Sequence, residues 1–149
     1  AAPAPKPSAA AVVAAPAPTH SAPTAAPDSK DQGSQAGSSG DLVGMARKLL
    51  AADDAAGAEA AARRAMVVDS TDHHAMEVLA RALMDQDRGA EALPYARIIV
   101  KVRRNRVPYW LLYGDLLLMT GDEAGAKSQW QTALKLDPTD RDTKRRLGL

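Results

Sequence analysis

The sequence has no cysteine, which excludes a disulfide framework and thiol chemistry without selecting a compartment, so localisation stays open. No apolar run approaches the roughly 18 residues of a membrane-spanning helix. An excess of one charge is missing too. The net charge is +1; Lys6, Lys30, Asp28 and Asp31 take two of each sign from 19 basic and 18 acidic residues, leaving 17 and 16 from residue 41 onward. So balanced a segment lacks the electrostatic footprint of a dedicated nucleic-acid binder. Aromatic side chains are scarce, and both tryptophans, Trp110 and Trp130, fall late in the chain.

What is present divides into two materials. Seven of the ten prolines lie between Pro3 and Pro27, where the only apolar residues larger than alanine are Val12 and Val13. Such a segment cannot bury enough surface to offset the entropy of ordering it. Residues 1–40 are therefore expected to form a disordered tether, stiffened first by polyproline geometry and loosened later by Gly33-Ser-Gln-Ala-Gly-Ser-Ser-Gly40. The chain begins with alanine rather than methionine, so this arm is expected to be an interdomain linker.

From residue 41 the sequence repeats itself every 34 residues. The columns Leu42–Met76–Trp110, Met45–Leu79–Tyr113, Ala46–Ala80–Gly114, Leu49–Leu83–Leu117, Ala58–Ala92–Ala126, Ala62–Ala96–Trp130, Ala65–Ile99–Ala133 and Val68–Val102–Leu136 stay apolar or small through three copies. Within each copy they fall three or four apart in two blocks, the spacing of one face of a helix. The blocks are separated by Asp53-Asp54-Ala-Ala-Gly57, Asp85-Gln-Asp-Arg-Gly89 and Gly121-Asp-Glu-Ala-Gly125, each with an aspartate expected to cap the next helix. The last copy, Trp110-x-x-Tyr113-Gly114-x-x-Leu117, then Ala126-x-x-x-Trp130-x-x-Ala133, then Asp137-Pro138, resembles the signature of the tetratricopeptide repeat family. Tyr113 replaces the usual aliphatic residue there. Ala62 and Ala96 stand where an aromatic is usual, and Ser70 and Arg104 where proline is usual.

The resemblance implies an all-α, right-handed superhelix with repeats at about 39–72, 73–106 and 107–140 and a short capping helix over 141–149, together a domain of residues 41–149. Small residues such as Ala46, Ala80 and Gly114 let the helices of a unit approach, while Trp110, Trp130, Leu83 and Ile99 fill the space between units. One unit alone leaves half its apolar face wet, so three must stack. Pro108 suits a first turn and Pro138 follows a helix end, whereas Pro94 should delay or bend the helix that holds it. Thr139-x-x-Asp142 reads as a capping box for the last helix. With both tryptophans in the third copy, the slowest hydrogen exchange is expected between Trp110 and Ala133.

By the same resemblance the first helices of successive repeats line a concave groove for an extended or helical segment of a protein partner. The residues expected there are Val43, Arg47 and Leu50 from the first copy, His74, Glu77, Arg81 and Met84 from the second, and Pro108, Leu111, Asp115, Leu118 and Met119 from the third. The family's clamp for a terminal carboxylate, built from asparagine with lysine or arginine, is not expected: Glu77 and Asp115 sit among the arginines and no groove asparagine is present. The helix Pro108–Met119 is apolar nearly all round, and Leu111, Leu118 and Met119 are either covered by neighbours or form a contact patch, the floor of a peptide groove or a surface for self-association into a homo-oligomer.

Other constellations are weaker. Lys101-Val-Arg103-Arg104-Asn-Arg106, with Arg63, Arg64 and Lys144-Arg145-Arg146, reads first as solvated helix-end charge; a nucleic-acid or anionic-membrane surface would need these groups on one face. His73 and His74 are adjacent and point about 100° apart on a helix, an unsuitable metal pair. Nothing assembles a nucleophile, a base and an orienting group. The expected role is protein binding, without catalysis, cofactor or metal; a regulatory or self-association module of a larger protein is the alternative.

Overall fold

A computed structural model describes residues 37–149; the tether expected over residues 1–40 falls outside this range up to residue 36. The described residues form seven helices: α1 (Ser39–Ala51), α2 (Ala55–Val68), α3 (His73–Asp85), α4 (Gly89–Val102), α5 (Val107–Met119), α6 (Glu123–Leu136) and α7 (Arg141–Leu147). The starts of α1, α3 and α5 are 34 residues apart, as are those of α2, α4 and α6. Three pairs, α1 with α2, α3 with α4 and α5 with α6, stack in chain order. The first helices also touch one another, α1 with α3 and α3 with α5, and make an inner layer; α7 covers the end of α6.

Local chemistry sets the boundaries. The side chains of Asp54, Asp72, Asp122 and Asp140 accept hydrogen bonds from the free backbone N–H groups at the starts of α2, α3, α6 and α7. A capping box between Ser38 and Asp41 starts α1. The turns inside the pairs reverse through a left-handed residue at the same register each time, Asp53 (φ 59°), Asp87 (φ 57°) and Gly121 (φ 91°).

Three expectations about boundaries are corrected. Asp87 is taken up by that left-handed position, and the residue before α4 is Arg88, which makes no cap hydrogen bond. Its guanidinium instead reaches Glu91 at 2.6 Å and Glu59 at 2.7 Å. Helix α4 begins at Gly89, well before Pro94, so the proline does not delay it. Helix α7 is capped by Asp140, not by Thr139, whose backbone N–H and hydroxyl both donate to Asp137.

The core is densest in the middle unit. Helix α3 buries Ala75, Met76, Val78, Leu79, Ala80, Ala82 and Leu83, whereas α6 buries Ala126, Trp130 and Ala133. An interior helix has neighbours on both sides, and an end helix has one. The tryptophans therefore do not make the third unit the best-buried part, and the slowest hydrogen exchange is now expected in α3. The column Val68–Val102–Leu136 ends each second helix and stays exposed, so its periodicity marks the repeat and not the core. Trp130 lies against Gly114, where an added Cβ would sit 2.4 Å from the indole Nε1, so the glycine is a packing requirement.

Candidate functional site

The inner layer carries two clefts that share Pro108. The first, about 320 Å³, is lined by Arg47 of α1, His73, His74 and Glu77 of α3, Arg103 and Arg106 of the turn before α5, and Pro108 and Tyr109 of α5. The second, about 230 Å³, is lined by Arg81 and Met84 of α3, Pro108, Leu111, Leu112 and Asp115 of α5, and Asp142 and Arg146 of α7.

Helical spacing explains the assembly. His74, Glu77, Arg81 and Met84 recur at three and four residues, so α3 presents them as one stripe. Pro108, Leu111 and Asp115 do the same on α5. The stripe is tied together by charge. Glu77 meets Arg81 at 3.2 Å and Arg47 at 3.7 Å, and an Arg47 guanidinium nitrogen lies 3.2 Å from His74 Nδ1. Burial, helped by the neighbouring Glu77 carboxylate, pushes the Tyr109 phenol above its ordinary range. Burial also holds the His73 imidazole below its ordinary value, reinforced by the positive charge of Arg103 and by His74, whose ring centroid is 4.1 Å away. In the second cleft Asp115 accepts from both Nε and Nη2 of Arg146 at 2.7 Å and from Trp130 Nε1 at 3.2 Å. The inner stripe is thereby fastened to the last two helices.

Of the residues expected in the groove, Arg47, His74, Glu77, Arg81, Met84, Pro108, Leu111 and Asp115 line these clefts. The other four lie elsewhere. Val43 is 5% exposed and belongs to the core, because on α1 its direction is closed by the neighbouring helices. Leu50 is half-buried against the same core. Met119 turns to the outer side, against Gly89 at the start of α4. Leu118 is 47% exposed and lines neither cleft. Leu111 alone of the three apolar α5 candidates is a cleft residue.

Sequence reasoning left out of the groove His73, Tyr109, Leu112, Asp142, Arg103, Arg106 and Arg146. The last three were visible as basic residues but were grouped with helix-end charge. The structure separates that group: Arg63 pairs with Glu59 at 2.7 Å, Arg146 with Asp115, and Arg103 and Arg106 reach the first cleft. A larger cleft of about 560 Å³ lies between α4 and α5, lined by Leu93, Pro94, Arg97, Ile98, Lys101 and others, and contains none of the expected groove residues.

No family model matches the chain, and no curated protein matches it in sequence. Solved structures do match in fold. The first tetratricopeptide domain of Spaghetti (RPAP3), in a structure with an HSP90 peptide, is 16% identical with a TM-score of 0.70, covering 74% of this chain and 87% of that one. The Sgt2 tetratricopeptide domain from Aspergillus fumigatus is 17% identical with a TM-score of 0.68 and 74% coverage of each chain. The type III secretion translocator chaperone SycD from Yersinia enterocolitica is 15% identical with a TM-score of 0.64, covering 74% of this chain and 85% of that one. Residues 37–149 thus have the right-handed superhelical fold of a three-unit tetratricopeptide array with a capping helix.

Proposed function

On that tetratricopeptide fold, we propose that the chain is a protein-interaction scaffold that holds an extended or helical segment of a partner along α1, α3 and α5. One observation carries the reading: eight of the residues that the family resemblance implies for a partner groove line two adjoining clefts of the inner layer. A structural neighbour at similar TM-score holds an HSP90 peptide, which supports the use of this fold for peptide binding. The clefts combine apolar Met84, Leu111 and Leu112 with arginines and carboxylates, a surface suited to a side chain or two of anchorage and polar positioning around it. The work is binding rather than catalysis. Residues 1–40 serve as the tether and residues 41–149 as the binding domain. A groove of this extent buries an area at the low end of specific interfaces, giving a Kd on the order of micromolar, roughly −8 kcal/mol.

The test is a peptide-display selection on the whole chain, followed by calorimetry with the recovered segment. Met84→Glu with Leu111→Glu should weaken binding by about tenfold or more, since both side chains line the second cleft. Ile98→Glu on the outer cleft should leave it unchanged, with helical circular dichroism retained throughout. Binding that survives the inner pair and fails at Ile98 would move the site to the outer face.

A further inference from the structure

We infer that the turn between the second and third units is an anion-recognition site, and that it takes a glutamate- or aspartate-rich segment of the protein partner; this rests on the groove reading above. The turn occurs three times at the same register: Asp69-Ser-Thr-Asp72, Arg103-Arg-Asn-Arg106 and Asp137-Pro-Thr-Asp140. In the first and third, the leading aspartate accepts from Thr71 or Thr139 and the closing one caps the next helix. In the middle one both aspartates are arginines. Arg106 precedes α5 without any cap hydrogen bond. The aspartate cap of the other two turns is thus missing, and a cation at a helix N-terminus opposes the helix dipole.

The backbone is partly provided for, since Pro108 has no N–H to cap and the Tyr109 N–H donates to the Arg106 carbonyl at 3.2 Å, but the two guanidinium groups are not. Among the described residues, neither the Arg103 nor the Arg106 side chain takes part in a hydrogen bond or a salt bridge, and both residues are exposed. They stand at the first cleft with Arg47, His73 and His74. The single carboxylate there, Glu77, has a side chain only 15% exposed and is engaged by Arg81 and Arg47. Two guanidinium groups are therefore left to face an occupant. Two cations placed in the turn before a helix N-terminus with no partner in the fold break a local rule, and such a break marks a site kept for function. Guanidinium groups pair best with carboxylate or phosphate oxygens.

Acidic side chains fit better than a nucleic-acid backbone. The remaining inner-layer cations are spent on Glu77 and Asp115, so no basic track continues from the cleft to follow a phosphate chain. The site also differs from a clamp for a terminal carboxylate, since its free cations come from a turn and no asparagine lines the cleft.

The double variant Arg103→Asp/Arg106→Asp restores the pattern of the other two turns, so it should preserve or raise the melting temperature while removing the site. Anisotropy with fluorescein-labelled hexaglutamate, against hexaglutamine as control, is measured on the whole chain. The expected result is preference for hexaglutamate, weakened by added salt and reduced about tenfold or more in the variant. Equal binding of the two peptides, or hexaglutamate binding unchanged in the variant, overturns the inference. So does single-stranded oligothymidine bound more tightly than hexaglutamate and lost in the same variant, which would make the site one for nucleic acid. The Met84→Glu/Leu111→Glu variant separates the two readings. If it still abolishes the selected segment while hexaglutamate never binds, the groove stands and the acidic specificity falls.

Discussion

The two joints between successive units share one geometry and use opposite chemistry. At the first, between α2 and α3, polar groups do the fastening. Asp72 caps α3 and accepts from Ser39 at 2.6 Å, Asp69 closes the turn onto Thr71, and Glu59 receives Gln86 at 2.8 Å and Arg88 at 2.7 Å. Helix α2 brings to this joint the small side chains Ala61, Ala62 and Ala65, which pack in one cluster with Val78, Leu79 and Leu83 of α3. At the second, between α4 and α5, the caps are gone, and Met76, Ile99, Val100 and Tyr109 form an apolar cluster braced by Tyr95, Trp110 and Tyr113. The second turn is tied instead by Trp110 Nε1 donating to the Arg104 carbonyl at 2.7 Å and by Arg104 Nε donating to the Lys101 carbonyl at 3.2 Å. A repeat can thus keep its step with either set of forces. Where apolar packing suffices, the turn side chains are released for contact with something outside the fold.

That comparison can be broken most directly at Ile99, which is fully buried in the apolar joint. Ile99→Ala should cost about 2–5 kcal/mol, read as a lower guanidinium midpoint with the m-value unchanged. A cost under about 1 kcal/mol would mean that the second joint is not held by packing. A smaller effect tests the polar joint. Asp72→Ala should cost about 1–2 kcal/mol, because the cap and the Ser39 bond go together, while Arg106→Ala at the equivalent position should stay within about 0.5 kcal/mol of the parent. Equal losses at the two positions would erase the distinction between the turns.

The step, the pairing of helices and most of the inner stripe were legible in the sequence, because a 34-residue period and three-and-four spacing are local signals that translation along the stack preserves. Burial was less legible, for a physical reason. Val68, Val102 and Leu136 repeat as faithfully as any core column yet end exposed, since a helix terminus has fewer neighbours than its centre. Val43 and Met119 were misplaced because the width of an apolar face does not tell which neighbouring helix closes it. The weight given to Trp110 and Trp130 ran the other way. Large side chains advertise a core, but the middle unit is best buried by position alone, through Leu79 and Leu83. Arg103 and Arg106 had a readable signal in the register of the three turns, and reading charge along the chain instead of across the repeats concealed it.

The smallest expected effect is also the one that sets the joints against each other in a single titration. Burial opposes ionisation of Glu59, but hydrogen bonds from Gln86, Arg63 and Arg88 outweigh it and hold the carboxyl below its ordinary 4.5. Its stabilisation is therefore present above about pH 4.5 and is lost as pH falls through the folded-state value. His73 lies lower than its ordinary 6.5 through burial, the neighbouring His74 and the charge of Arg103, against the opposing pull of Asp72 and Glu77. The unfolded chain takes up that proton first, so folding weakens as pH drops below about 6.5 towards the folded-state value. Acid should therefore act on the cleft beside the arginine turn before it reaches the Glu59 network. Melting temperature against pH should show an upper limb removed by His73→Gln and a lower limb reduced by Glu59→Gln, the rest of which belongs to the other carboxyls held below their ordinary range, Asp72 among them. If the limb below about pH 6.5 survives in His73→Gln, its cause lies outside the arginine turn, and the electrostatic contrast between the joints is lost.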